Sequence, residues 1–146
     1  MEKQNYHCSI TANIGAKEAF NKICQVSAWW FKDFTGKSEK QNDEFTVRFG
    51  EMHESRQKLI EVIPDKKIVW QVTESKLHWL KRDEQEWLGT KISFEISSEN
   101  DSTQINFTHI GLIPGIECYE GCVRGWDQYI KGSLFKLLTE GKGSPN

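Results

Sequence analysis

The sequence predicts an α+β fold in which a curved antiparallel β-sheet wraps around a long C-terminal α-helix. Three observations predict it. Stretches of period-two alternation recur from residue 6 to residue 110, separated by short turns. Residues 117–138, ECYEGCVRGWDQYIKGSLFKLL, instead repeat apolar side chains at helical spacing. The length of 146 residues suits one core, because single domains usually hold about 100–200 residues, so residues 1–146 read as one domain.

The first strand is predicted over Tyr6–Ile14, where Tyr6, Cys8, Ile10, Ala12 and Ile14 alternate with polar residues until Gly15. AKEAFNKICQ then sets Ala16, Ala19, Phe20 and Ile23 at helical spacing, and SAWWF continues as a second short helical or turn segment. TGKSEKQND, residues 35–43, reads as a polar turn. EFTVRF places Phe45, Val47 and Phe49 on one strand face, SRQKLIEVI runs up to Pro64-Asp65, and KIVWQV alternates Ile68, Trp70 and Val72. Residues 73–89 read as a long connection carrying Trp79 and Trp87. TKISFEIS and TQINFTHI complete a set of six or more strands, with Phe94, Phe107 and His109 on the inner faces. Short turns favour an antiparallel meander, since parallel neighbours need crossovers of about a dozen residues.

Advancing about 100° per residue from Tyr119 puts Val123, Trp126, Ile130, Leu134 and Leu137 on one stripe. Glu120, Arg124, Asp127, Gln128 and Lys131 fall on the far or flanking side, and Gly121, Gly125 and Gly132 share a third sector beside Cys118. Three glycines in one helix ask for a reason, because each costs about 1 kcal/mol relative to alanine. A second chain at close range and a local packing constraint both supply one.

Nineteen basic and 21 acidic residues leave a net charge of −2, which provides no field for nucleic acid or an anionic membrane. The first fifteen residues lack the basic and apolar regions of an export signal, and no apolar run reaches spanning length, so the chain reads as cytoplasmic. Cys8, Cys24, Cys118 and Cys122 are accordingly expected as thiols. TGKS at residues 35–38 lacks a phosphate-loop glycine, since Phe31 stands where it would be, and the common hydrolase, zinc-protease and dinucleotide motifs are absent. No cofactor or metal is expected. Cys118 and Cys122 stand one turn apart but read as buried apolar thiols rather than ligands.

WLGTKISFEIS and STQINFTHIGLIP, followed by ECYEGCVRGWDQYIKGSLFKLLTEGKGSP, resemble bacterial proteins of the activator of heat-shock protein 90 ATPase type, within the START/SRPBCC or helix-grip superfamily. ITANIGAKEAFNKICQVSAWW is similar to the opening strand and helix pair of that family. The resemblance covers about residues 6–145 and is strongest at Gly125, Trp126, Ser133, Leu134, Gly141, Lys142 and Gly143. It implies a sheet gripping the C-terminal helix, with a hydrophobic cavity between them that relatives fill with lipids, polyketides or hormones.

The lining expected for such a cavity comprises Phe45, Phe49, Trp70, Phe94, Phe107 and His109 from the sheet and Tyr119, Val123, Trp126 and Ile130 from the helix. The same aromatics would serve equally to close-pack a core. His109 either orients a ligand or is a core histidine satisfied by a neighbour. Trp29, Trp30, Trp79 and Trp87 either cover the cavity mouth or anchor their connections, and the orientation of Glu61 and Gln71 is left open because KLIEVI is apolar on both faces. The reading that follows is a non-enzymatic binder of a small hydrophobic molecule. Its alternatives are a co-chaperone-like module that binds a chaperone and a cyclase or hydrolase using His109; a homodimer is compatible with each.

Overall fold

The computed structural model describes residues 4–81 and 84–146. Met1–Lys3, and Arg82 and Asp83 within the connection expected over residues 73–89, lie outside the described residues. Among the described residues, seven strands form one antiparallel sheet: β1 (Tyr6–Ala12), β2 (Asp33–Gly36), β3 (Glu44–Phe49), β4 (His53–Ile63), β5 (Lys67–Leu77), β6 (Lys91–Glu99) and β7 (Ser102–Ile110). Their order is β1-β7-β6-β5-β4-β3-β2. The meander from β2 to β7 follows from its short turns, and β1 closes onto β7 with Tyr6 opposite His109 and Cys8 opposite Phe107.

Period-two burial is realised cleanly in β1, where Tyr6, Cys8, Ile10 and Ala12 point inward. Helix α1 (Ala16–Cys24) follows as expected, but the second helical segment shrinks to a single 3₁₀ turn at Val26–Ala28. The stretch expected as a polar turn contains part of the short edge strand β2, whose alternation is too brief to register in sequence. β5 also extends to Leu77, five residues beyond KIVWQV, because Ser75 and Leu77 keep the inward alternation.

Residues 119–140 form one continuous helix in three parts: α2 (Tyr119–Trp126), a π-helical segment (Asp127–Leu134) and α3 (Phe135–Glu140). Cys118 just before it and Cys122, Trp126, Ile130, Leu134 and Leu138 within it are buried at a spacing of four, with Ser133 and Leu137 buried beside them. In an α-helix each four-residue step overshoots one turn by about 40°, so such a stripe would wind off the sheet. The wider i→i+5 winding between Asp127 and Leu134 takes up that drift. Tyr119 and Val123, which a uniform 100° step places on the stripe, are half-buried on its flank.

The space that sheet curvature opens under the helix is filled by indoles. Trp29 and Trp30, delivered by the segment after α1, are fully buried and stack on Trp70 of β5 at 6.2 and 5.8 Å between ring centroids. Trp30 also meets Trp126 of the helix at 5.0 Å and Trp87 of the β5–β6 connection at 6.2 Å. Such contacts add about 0.5–1.5 kcal/mol each beyond area burial.

Candidate functional site

At one end of this tryptophan cluster the filling stops and leaves a cleft of ≈ 290 Å³. Trp30 and Phe31 line it from the segment after α1, Phe49, Met52 and His53 from the β3–β4 hairpin, and Trp79 and Trp87 from the β5–β6 connection. The helix contributes Gly121, Cys122, Arg124, Gly125, Trp126 and Tyr129. Phe49, Met52 and Trp79 form an apolar mouth, 42%, 50% and 37% exposed.

The glycine sector explains the helix side of the cleft. A Cβ at Gly121 would stand 2.9 Å from Cη2 of Trp79, so glycine lets that ring lie against the helix. At Gly125 a Cβ would meet only the Tyr129 ring, at 4.0 Å, and at Gly132 nothing within 4 Å. Bare backbone at Gly125 therefore faces the cleft.

Polar groups around the cleft are held by two buried chains of hydrogen bonds. In the first, the Trp126 indole N–H donates to His109 Nδ1 at 3.0 Å. Because Nδ1 accepts, the ring proton of the neutral imidazole sits on Nε2 and is donated to Thr90 Oγ1 at 2.9 Å. Thr90 in turn donates to the Trp87 carbonyl at 2.6 Å, while the Trp87 indole N–H reaches Cys122 Sγ at 3.3 Å. Burial lowers the His109 pKa to about 3, so it stays neutral. With both ring nitrogens engaged and no exposed surface, His109 positions Trp126 and Trp87.

The second chain runs along the inner face of β4. His53 Nε2 lies 2.8 Å from Ser55 Oγ, and Gln57 Nε2 donates to the same oxygen at 2.6 Å. Gln57 Oε1 is buried without a partner among the described residues. Burial also lowers His53 to a pKa of about 3. Its ring packs against Phe31 at 5.0 Å and Trp87 at 5.1 Å, and its Nδ1 has no protein partner among the described residues.

Two backbone clamps hold the cleft walls. Glu86 caps the C-terminal helix from the β5–β6 connection, accepting from the Glu117 N–H at 3.0 Å and the Cys118 N–H at 2.7 Å. The tail after α3 returns to the segment behind Trp30, where Asn146 N–H donates to the Trp30 carbonyl and the Lys32 N–H to the Asn146 carbonyl. Asn146 Nδ2 also donates to the Tyr129 hydroxyl at 2.7 Å. Gly143 permits this return, since a Cβ there would collide with the Ala28 carbonyl oxygen.

The sequence model for "Activator of Hsp90 ATPase homolog 1-like protein" matches residues 18–139. The chain belongs to the activator of Hsp90 ATPase homolog 1-like family. No curated protein matches the sequence. Among solved structures, the Aha1 dimer from Colwellia psychrerythraea is similar at 22% identity and a TM-score of 0.77, over 96% of this chain and 99% of that one. An HSP90 activator from Plasmodium falciparum is similar at 18% identity and a TM-score of 0.61, over 87% and 90% of the two chains. CalU16 from Micromonospora echinospora is similar at 10% identity and a TM-score of 0.65, over 89% and 73%. At these identities the likeness shows the shared fold, the helix-grip arrangement of curved sheet and long C-terminal helix.

Within this family fold, the ten residues expected around a cavity fall into two groups. Phe49 and Trp126 line the cleft. Phe45, Trp70, Phe94, Phe107, His109 and Ile130 are buried in the packed core, and Tyr119 and Val123 pack against it from the helix flank. Of the four tryptophans in connections, Trp30, Trp79 and Trp87 line the cleft, while Trp29 is sealed under Trp30 with its N–H on the Ile23 carbonyl. Glu61 pairs with Lys67 at 3.2 Å on a partly exposed stretch next to a β4 irregularity, and Gln71 is half-buried opposite Lys58 and Lys91. Sequence reasoning missed Phe31, Met52, His53 and Tyr129 as cleft residues; Arg124, expected on the solvated side, is exposed and stands at the edge of the cleft. The alternation H-x-S-x-Q-x-L at the start of β4 carried the signal for His53.

All four cysteines are free thiols; Cys24 is pushed up to about 12 by burial, and Cys118 is raised by its hydrogen bond with Cys122 and by burial. Among the described residues there is no metal-binding cluster, and no helix is long and apolar enough to cross a membrane.

Proposed function

We propose that the protein is a non-enzymatic, cytoplasmic binder of a small hydrophobic molecule, held in the cleft between the tryptophan cluster and the C-terminal helix. The observation that carries this reading is the bare helix backbone at Gly125 facing an aromatic-walled cleft of ≈ 290 Å³. Ligand sites combine apolar walls with a few convergent polar groups. Here those groups are His53, Tyr129 and Arg124. The size, at the small end of the usual range of about 300–1,000 Å³, suits a ligand of one or two rings.

Gly125→Leu provides the test, because it fills the cleft from a helical position. Native mass spectrometry and a small-molecule screen read by the tryptophan indole N–H resonances are expected to show ligands for the wild-type protein and none for the variant. A wild-type protein that neither carries a bound mass nor responds to any apolar compound would refute the proposal.

A second reading is favoured by the exposed mouth of Phe49, Met52 and Trp79, which would suit a protein contact, either a chaperone or a second copy of the chain. The family's description and the dimer of the Colwellia relative support it. Met52→Lys is expected to abolish chaperone capture or dimerisation, read by pull-down and by light scattering; capture unchanged by the substitution would count against this reading.

A further inference from the structure

We infer that the ligand of the cleft is a flat aromatic carboxylic acid, its ring against the tryptophans and its carboxylate at Arg124. The inference rests on the proposed reading of the cleft as a small-molecule site and names the chemistry of what enters it.

Charge is the first argument. Among the described residues, the cleft lining contains no acidic residue and one cation, Arg124. The other two described arginines are both paired: Arg48 with Glu54 at 3.1 Å and Asp33 at 4.0 Å, and Arg56 with Glu74 at 3.8 Å. The Arg124 side chain has neither an ion pair nor a hydrogen bond among the described residues, although Glu120 lies one turn before it. Within one turn of it, Asp127 is engaged by Lys131 and the Tyr6 hydroxyl. A guanidinium with its planar fork unused, at the edge of an apolar cleft, matches a carboxylate in shape and charge.

Donor inventory is the second. The Tyr129 hydroxyl accepts from Asn146 Nδ2 and so keeps its own proton for an acceptor. His53 is neutral and adds no second positive charge, which limits the site to a single anionic head.

Wall shape is the third. Trp87 and Trp126 lie 5.7 Å apart with their planes at 11°, and Phe31 and Phe49 lie 5.5 Å apart at 14°. Flat ring walls, with the helix side cut down to backbone at Gly125, favour a flat guest over a branched or spherical one.

The test compares 2-naphthoate with 2-naphthylmethanol, which share the ring and differ in charge, by isothermal titration calorimetry of the full chain at low salt. The acid is expected to bind about tenfold more tightly than the alcohol, the scale of one charge-assisted bidentate contact. Arg124→Gln, at an exposed position that leaves the fold intact, is expected to bring the acid down to the affinity of the alcohol while changing the alcohol less than about twofold. Gly125→Leu is expected to remove binding of both. Equal binding of the two probes by the wild-type protein, or an acid preference that survives Arg124→Gln, overturns the acid assignment and leaves the cleft reading standing. Binding of neither probe by the wild-type protein, or acid binding that survives Gly125→Leu, overturns both.

Discussion

The indole N–H of Trp126 donates to Nδ1 of His109 at 3.0 Å, and this bond sets the proton of the imidazole on the side facing Thr90. Every donor and acceptor from Trp126 to the Trp87 carbonyl is thereby matched. His109→Ala would leave the Trp126 N–H without an acceptor, take from Thr90 Oγ1 the donor it accepts from, and open a cavity, and is expected to cost about 2–4 kcal/mol of unfolding free energy. His109→Gln, which retains an acceptor, is expected to cost less. Urea unfolding followed by fluorescence checks both, and a loss below about 1 kcal/mol for the alanine variant would contradict the positioning role.

Both inward histidines predict a dependence of stability on pH. In the folded chain His53 and His109 have pKa values of about 3, below the ordinary 6.5 of the unfolded state. Between those values the unfolded chain binds two protons that the folded one refuses. Stability is therefore full above pH 6.5 and falls as pH drops toward 3, by up to about 1.4 kcal/mol per pH unit for each imidazole. Denaturation midpoints measured at pH 7.5, 6.0 and 5.0 should decline in that order; a flat profile would show that one or both rings reach water.

The glycines of the helix should respond differently to the same substitution. Gly125→Ala and Gly132→Ala place a Cβ in open space and are expected to stabilise by up to about 1 kcal/mol through helix propensity. Gly121→Ala meets the Trp79 ring at 2.9 Å and is expected to gain nothing, with the Trp79 indole resonance displaced. Equal gains at all three positions would show that Trp79 does not rest on the helix.

Removing the cap tests the link between the β5–β6 connection and the helix. Glu86→Ala strips the Glu117 and Cys118 N–H groups of their acceptor and is expected to cost about 1–2 kcal/mol, with Gln recovering part of it. Amide exchange at residues 117 and 118 should accelerate in the alanine variant. Unchanged exchange would mean that other groups satisfy this end of the helix.

The tail should prove equally specific. Gly143→Ala drives a Cβ into the Ala28 carbonyl and is expected to release the hydrogen bonds of Asn146 to Trp30 and Tyr129. Faster exchange at Lys32, whose N–H is bonded to the Asn146 carbonyl, reports that release. A protected Lys32 amide in the variant would place the tail contacts elsewhere.

Much of the fold was legible because its signals are local. The alternation Tyr6-Cys8-Ile10-Ala12 names the buried face of β1 without reference to any partner, and the series Ile105-Phe107-His109 does so for β7. A uniform helical projection read the C-terminal helix correctly around Trp126 and Ile130 but drifted at Tyr119 and Val123. The i+4 spacing from Cys118 to Leu138 was present in the chain, yet its consequence, a wider winding in the middle, depends on the sheet the stripe must follow.

The chain by itself determined an antiparallel meander with inward aromatics, a long terminal helix and a set of glycines segregated from its apolar stripe. Those properties follow from backbone periodicity and need only near neighbours. Tertiary structure alone decided which aromatics became core and which became cleft walls, because that depends on how far Trp29 and Trp30 reach beneath the helix and where Trp79 comes to rest. Packing across about 70 residues of chain brought His53 to Arg124 and Tyr129 around one space, and no local pattern in the sequence encodes such a meeting.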